Sequence, residues 1–132
     1  ALVSLNSDKI IVVIRDEICN PDLNVDFLCR ELCKSRSTVN KCIIKDFNIK
    51  PSELIKNIKL QRIIKYTYDF QIDIYKSAQY YGIVRADTFY KVIKRKFNKN
   101  PSVIESELTI HEEKRNYFLN YHKSLMINGL II

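Results

Sequence analysis

Ile43-x3-Phe47-Asn48-x2-Pro51-Ser52-x-Leu54 and Ile93-x3-Phe97-Asn98-x2-Pro101-Ser102-x-Ile104 are one pattern written twice, fifty residues apart. Val39 and Lys41 recur as Phe89 and Lys91. Further upstream the offset drops to 49, pairing Asn24 with Asp73, Cys29 with Ala78 and Cys33 with Gly82. Self-similarity at a fixed period marks a supersecondary unit present in two copies, and it organises every other reading of the chain.

In the first copy Asn24 is a good N-cap for a helix over Val25 to Cys33, with Phe27, Leu28 and Leu32 on one face. After a break at Lys34, Ser35 caps a second helix through Phe47 whose Val39, Ile43 and Phe47 fall at i, i+4 and i+8 and point inward. Asn48 tolerates the left-handed backbone that ends a helix, and Pro51 suits the first turn of the next one, where a missing N–H costs nothing. Two helices joined by so short a turn make a helix-turn-helix unit. The second copy repeats this: Asp73 caps Ile74 to Tyr81, Gly82 turns the chain, and a helix from about Arg85 to Phe97 buries Phe89, Ile93 and Phe97.

Between the copies, Pro51 to about Tyr68 spans some 25 Å as a helix at 1.5 Å per residue. Its Leu54, Ile55, Ile58, Leu60, Ile63 and Ile64 lie on more than one side, as suits a connector packed against both units. Ahead of them Ser7 is expected to cap a helix from Asp8 to Cys19; after them Thr109 to about Met126 is a further helical candidate.

The 132 residues hold 22 Lys+Arg against 15 Asp+Glu, a formal charge of +7, with 46% hydrophobic residues and only 2 Gly and 3 Pro. That composition supports a packed core and favours helix over turn-rich β structure. The longest uncharged apolar run, Ser124 to Ile132, is far shorter than the roughly 20 residues a membrane span needs. No signal-peptide pattern opens the chain, which does not start with Met and reads as a cytoplasmic piece of a longer protein. Cys19, Cys29, Cys33 and Cys42 lack zinc-site spacing, and His111 and His122 lie far from them, so reduced thiols and no metal are expected. No phosphate loop, H-E-x-x-H or nucleophile grouping is present; the expectation is no enzyme, no catalytic residue and no cofactor. Tyr66, Tyr68, Tyr75, Tyr80, Tyr81 and Tyr90 interleave with basic residues, but their helical spacing favours packing over base stacking.

Charge is unevenly placed. The second helix of copy one and its lead-in carry Lys34, Arg36, Lys41 and Lys45 against Asp46; that of copy two carries Arg85, Lys91, Lys94, Arg95, Lys96 and Lys99 against Asp87. The connector adds Lys50, Lys56, Lys59, Arg62 and Lys65 against Glu53. One basic run is usually a solvated face, but the same helix being basic in both copies points to a phosphate-backbone footprint.

These residues resemble the AraC/XylS-type transcription regulators, which carry two helix-turn-helix motifs in one chain. The resemblance covers about residues 8–104. Its most specific stretch is Ala78-x3-Gly82-x6-Phe89-x4-Lys94-x2-Phe97-x3-Pro101-Ser102, joined by Leu28-Cys29-x2-Leu32-x2-Ser35-Arg36-Ser37-x-Val39 and Pro51-Ser52-Glu53-Leu54-Ile55 in the first copy. The style is similar to the DNA-binding ends of response regulators and hybrid two-component proteins. The chain departs from the pattern at Ile63 for a small Ala, at Asn48, Asn98 and Cys33 for glycines, at Ser77 for an apolar residue, and at Ile83 and Ile93 for Phe.

The fold so implied is all-α: two helix-turn-helix subdomains, homeodomain-like three-helix units, joined by a long connector helix, with an extra C-terminal helix. The expected division is a DNA-binding domain over 1–105, made of unit one at about 8–50, connector at about 51–69 and unit two at about 70–105, then a C-terminal extension over 106–132. The resemblance implies sequence-specific binding of double-stranded DNA, each second helix entering a major groove about one turn, roughly 34 Å, from the other. Base contacts are expected from Arg36, Ser37, Asn40 and Lys41 and from Arg85, Asp87, Thr88 and Lys91. Phosphate contacts are expected from Lys45, Lys50, Lys59, Lys94, Arg95, Lys96 and Lys99, and from the helix N-termini at Asn24, Asp73 and Pro51. RNA polymerase, an N-terminal sensor or receiver domain, and a second copy of the chain are the other partners this reading allows; membrane contact is not expected. The alternative is a degenerate helix-turn-helix domain acting as a protein-interaction or dimerisation module.

Overall fold

The computed structural model describes residues 5–110 together with Glu113 and Asn116. Among them are seven helices and no strand: α1 Ser7–Asp16, α2 Val25–Leu32, α3 Arg36–Phe47, α4 Pro51–Phe70, α5 Ile74–Tyr80, α6 Ala86–Phe97 and α7 Pro101–Ile110.

The two copies of the repeat follow the same backbone path. In the first, the Cys33 N–H bonds the Arg30 carbonyl and the Lys34 N–H the Cys29 carbonyl; in the second, the Gly82 N–H bonds Gln79 and the Ile83 N–H bonds Ala78. This paired closure requires a left-handed residue between the bonds, and Cys33 (φ 53°) and Gly82 (φ 89°) supply it. Asn48 (φ 57°) and Asn98 (φ 56°) end α3 and α6 in the same left-handed conformation. A thiol-bearing residue pays a steric penalty of roughly 1–2 kcal/mol there that glycine avoids. Cys33→Gly is therefore expected to raise the unfolding free energy by about 0.5–1 kcal/mol, glycine's greater chain entropy offsetting the rest. A higher urea midpoint with an unchanged slope is the expected readout, and a lower midpoint contradicts it.

Two apolar clusters form the core. Ile10, Ile11 and Ile14 of α1 meet Leu28, Val39, Ile43, Leu54 and Ile58 in the first; Leu60, Ile63 and Ile64 meet Ile74, Ala78, Phe89, Ile93, Ile104 and Leu108 in the second. The connector thus turns one half of its length toward each cluster, which explains its apolar residues on several sides.

Some boundaries differ from those expected. Asn6, not Ser7, caps α1 by accepting from the Lys9 N–H at 3.1 Å, while Ser7 is buried with its hydroxyl bonded to the Asp46 carboxylate across α3. α1 also stops at Asp16, before Cys19. α7 starts at Pro101, repeating the Pro51 start of α4, and runs through the boundary expected at 105 to carry Leu108 into the second cluster. Most of the helix expected over Thr109 to Met126, with Tyr117, Phe118, Tyr121 and Leu125, lies outside the described residues, as do His111, His122 and the apolar tail. Among the described residues no helix is long and apolar enough to cross a membrane.

Ser77, out of pattern in the sequence, is fully buried where α5 packs on α4. Its hydroxyl lies 2.8 Å from that of Thr67, with the Ile63 carbonyl 2.8 Å from Thr67 Oγ1 and the Asp73 carbonyl 3.3 Å from Ser77 Oγ as further acceptors. A serine is small enough for close helix approach and finds its polar partner on the other helix, so the burial leaves no unmet bond.

Candidate nucleic-acid interface

α3 begins where Ser35 Oγ accepts from the Thr38 N–H at 3.2 Å. Val39, Ile43 and Phe47 anchor one face in the first cluster, leaving Arg36, Ser37, Lys41 and Lys45 exposed on the rest and Asn40 half-buried at the margin. α6 is built alike: Phe89 and Ile93 are buried, Phe97 is half-buried, and Asp87, Thr88, Lys91, Lys94, Arg95 and Lys96 are exposed, with Arg85 exposed at the head of the helix. Every base-contact candidate except Asn40 is therefore open to solvent.

The arginine at the head of each helix is already paired. Arg36 Nη1 lies 2.8 Å from Asp26 Oδ1 on α2, and the Arg85 guanidinium donates to both oxygens of Asp87 at 3.2 Å. That hydrogen bonding from Arg85 is the main reason the Asp87 carboxyl sits below its ordinary range, so it is a carboxylate at neutral pH. Both pairs are solvated, and such pairs contribute little to stability. Lys41, Lys45, Lys50, Lys91, Lys94 and Arg95 make no ion pair among the described residues. Lys96 lies 3.7 Å from Glu53 Oε2 on α4, and Lys99 donates to both oxygens of buried Glu107 at 2.9 and 3.0 Å.

Lys59 is the clear correction to the expected phosphate set. Only 7% exposed, it turns inward, and its ammonium donates to the carbonyls of Ile18 (2.7 Å), Asn20 (3.2 Å) and Tyr81 (2.7 Å). All three hydrogens of the ammonium are thereby used, and the side chain ties the segment after α1 to the end of α5. Gly82 completes the junction: a Cβ there would stand 3.0 Å from the Asn20 backbone and 3.0 Å from Lys59 Nζ. In sequence Lys59 is one lysine in a basic stretch; only its place between the two halves of the connector's apolar surface hinted at burial.

The helix N-termini are also partly taken. Asn24 Oδ1 accepts from the Phe27 N–H at 2.8 Å. Asp73 Oδ1 accepts from Tyr75 at 2.8 Å and Lys76 at 3.2 Å, and Glu105 accepts from Ile74 at 3.1 Å. The Phe27 N–H of α2 and the first three N–H groups of α5 thus already have acceptors, and at the start of α6 the Asp87 carboxylate accepts from the Thr88 N–H, whereas α4 starts without a side-chain cap.

The tyrosines pack on one another. Tyr66 stacks on Tyr80 with centroids 5.0 Å apart and meets Phe70 at 4.6 Å and Tyr81 edge-on at 5.7 Å. Tyr75 meets Phe89 edge-on at 5.5 Å, and the Tyr90 hydroxyl lies 3.0 Å from Asn100 Oδ1. Comparison of the chain with protein-family models, curated proteins and solved structures returns no match.

Proposed function

We propose that this chain is an AraC/XylS-like, sequence-specific double-stranded DNA-binding domain of a transcription regulator, in which α2–α3 and α5–α6 act as two helix-turn-helix units and α3 and α6 enter successive major grooves. The observation that carries the reading is the repetition of one design: a short helix, a left-handed turn, and a second helix with its apolar residues buried and its basic residues exposed. Duplicated scaffolding alone would require the buried pattern to repeat, but not the exposed lysines at 41 and 91. Those unpaired cations suit phosphates and guanine edges, and the weak Arg36–Asp26 and Arg85–Asp87 pairs exchange readily for DNA. The uncapped start of α4 adds backbone donors for phosphate oxygens.

Selection from a pool of randomised duplexes at about 100 mM salt tests this directly, since the non-specific phosphate attraction is already weakened there. Recovery of a bipartite motif with halves about 10 base pairs apart is expected. Recovery without enrichment contradicts it. A second reading, a degenerate domain that binds protein or dimerises, draws on the exposed rings of Phe70 (63%) and Tyr80 (57%) beside Tyr66. It gains if the selection fails while sedimentation shows a dimer that Tyr80→Ser disrupts.

A further inference from the structure

A groove of about 560 Å³ lies between the N-terminal ends of α3 and α6, with α4 beneath it. Sites for small molecules usually measure about 300–1,000 Å³. Leu23 and Val25 line one side, Ile55 the floor, and Ile83, Val84 and Val92 the other. Val84 leaves 59% of its surface in solvent, so apolar area remains there for a ligand to cover.

The polar groups around this apolar surface are mostly cationic. Arg36, Lys56, Lys59 and Arg85 line the groove against a single carboxylate, Asp26. Arg36, Lys56 and Arg85 reach Asp26, Glu53 and Asp87 only through solvated pairs at 2.8, 3.5 and 3.2 Å. Lys59 differs in kind. Its acceptors are three neutral carbonyls, and no carboxylate of the described residues lies within ion-pairing distance of it. A full positive charge held in the floor by dipoles alone, under low-dielectric walls, projects a positive potential into the groove.

A purely apolar ligand would leave that potential unanswered, and a cation would be repelled. An inorganic anion would leave the valine and isoleucine walls wet. The guanidinium planes of Arg36 and Arg85 pair well with carboxylate and also stack on aromatic faces. We propose that this groove binds small aromatic carboxylates, the ring against Val84 and Ile55 and the carboxylate toward the arginine and lysine cations. Bound there, such a molecule sits between the heads of the two basic helices; its bearing on DNA rests on the function proposed above, whereas its binding does not.

The test is a titration of the whole chain with 2-naphthoate, followed by amide chemical shifts, beside the neutral 2-naphthalenemethanol. Saturable binding in the sub-millimolar range is expected, with shifts concentrated at Ile55, Ile83, Val84 and Thr88, and with affinity for the alcohol at least about tenfold lower. Val84→Glu, at a solvent-exposed position, is expected to weaken naphthoate by at least about tenfold, and Val84→Leu to retain it. Shifts centred elsewhere, equal affinity for the alcohol, or undiminished binding by Val84→Glu would overturn the proposal. If Val84→Glu does not fold, the comparison of acid with alcohol decides alone. The titration contains no DNA, so its result is independent of whether the chain binds a duplex.

Discussion

Lys59→Met is expected to lower the unfolding free energy by about 2–4 kcal/mol, a larger effect than any surface lysine can have. Three charge-assisted hydrogen bonds, at roughly 1.5–3 kcal/mol each, are lost, and the Ile18, Asn20 and Tyr81 carbonyls are left to find other donors. Against this stands desolvation, which pulls the Lys59 ammonium from 10.5 down to about 8. The loss remains because methionine, unlike the amine in either protonation state, offers the three carbonyls no donor. Methionine keeps most of the side-chain volume, so the loss reports the bonds and not a cavity.

The pH dependence has a definite sign. A lysine whose folded value lies below its unfolded one is penalised while charged, so folding releases a proton between about pH 8 and 10.5 and stability rises across that window. The variant lacks this contribution. The gap between the native chain and Lys59→Met in urea midpoints should therefore widen from pH 7 to pH 9, as the native chain gains. An equal midpoint at neutral pH would mean that the ammonium does not hold the junction together. A gap that narrows with pH would mean that its folded value is not depressed.

Lys41→Ala and Lys45→Ala are expected to fail on DNA in different ways. Lys41 stands two helical turns or less from the start of α3, exposed and without an ion pair, where the proposed docking of α3 would bring it to a base edge. Its loss should cost about 1–3 kcal/mol against the selected duplex and relax one base position. Lys45 lies one turn further along the same exposed face and should act on phosphate. Its loss should weaken all duplexes alike and reduce the salt slope by about one. Lys96 is a poorer probe of phosphate contact, because its substitution also removes the approach to Glu53 that links α6 to α4. Competition with matched and mismatched duplexes at several salt concentrations separates the two effects. Identical behaviour of the two variants on every duplex would show that the base-reading assignment is wrong.

Much of the helical frame could be read from local chemistry. Asn24, Ser35 and Asp73 cap the helices they precede, Asn48 and Asn98 leave α3 and α6 in the left-handed conformation, and Pro51 opens the connector α4. Each of these preferences involves neighbours a few residues apart, so no tertiary knowledge was needed. Even so, Asn6 displaces Ser7 as a cap because Ser7 has a better use across the fold at Asp46. The exposure of Lys41 and Lys91 followed equally from helical periodicity, since Val39 and Phe89 being inward puts them outward.

What the chain's order of residues determined by itself was therefore helices α1 to α6 in outline, their apolar faces and the doubling of the plan, but not α7. Tertiary structure decided the fates of polar groups outside the caps. Ser77 became the partner of Thr67, ten residues away on another helix, and Arg36 at the head of α3 met Asp26 on α2. Lys59, one of several connector lysines in the sequence, alone among them became the buried clamp of the junction. The reason is physical: a helix face follows from a period of 3.6 residues, which is local. Whether a charged side chain meets water, a carboxylate or a carbonyl depends on which distant backbone the fold brings beside it.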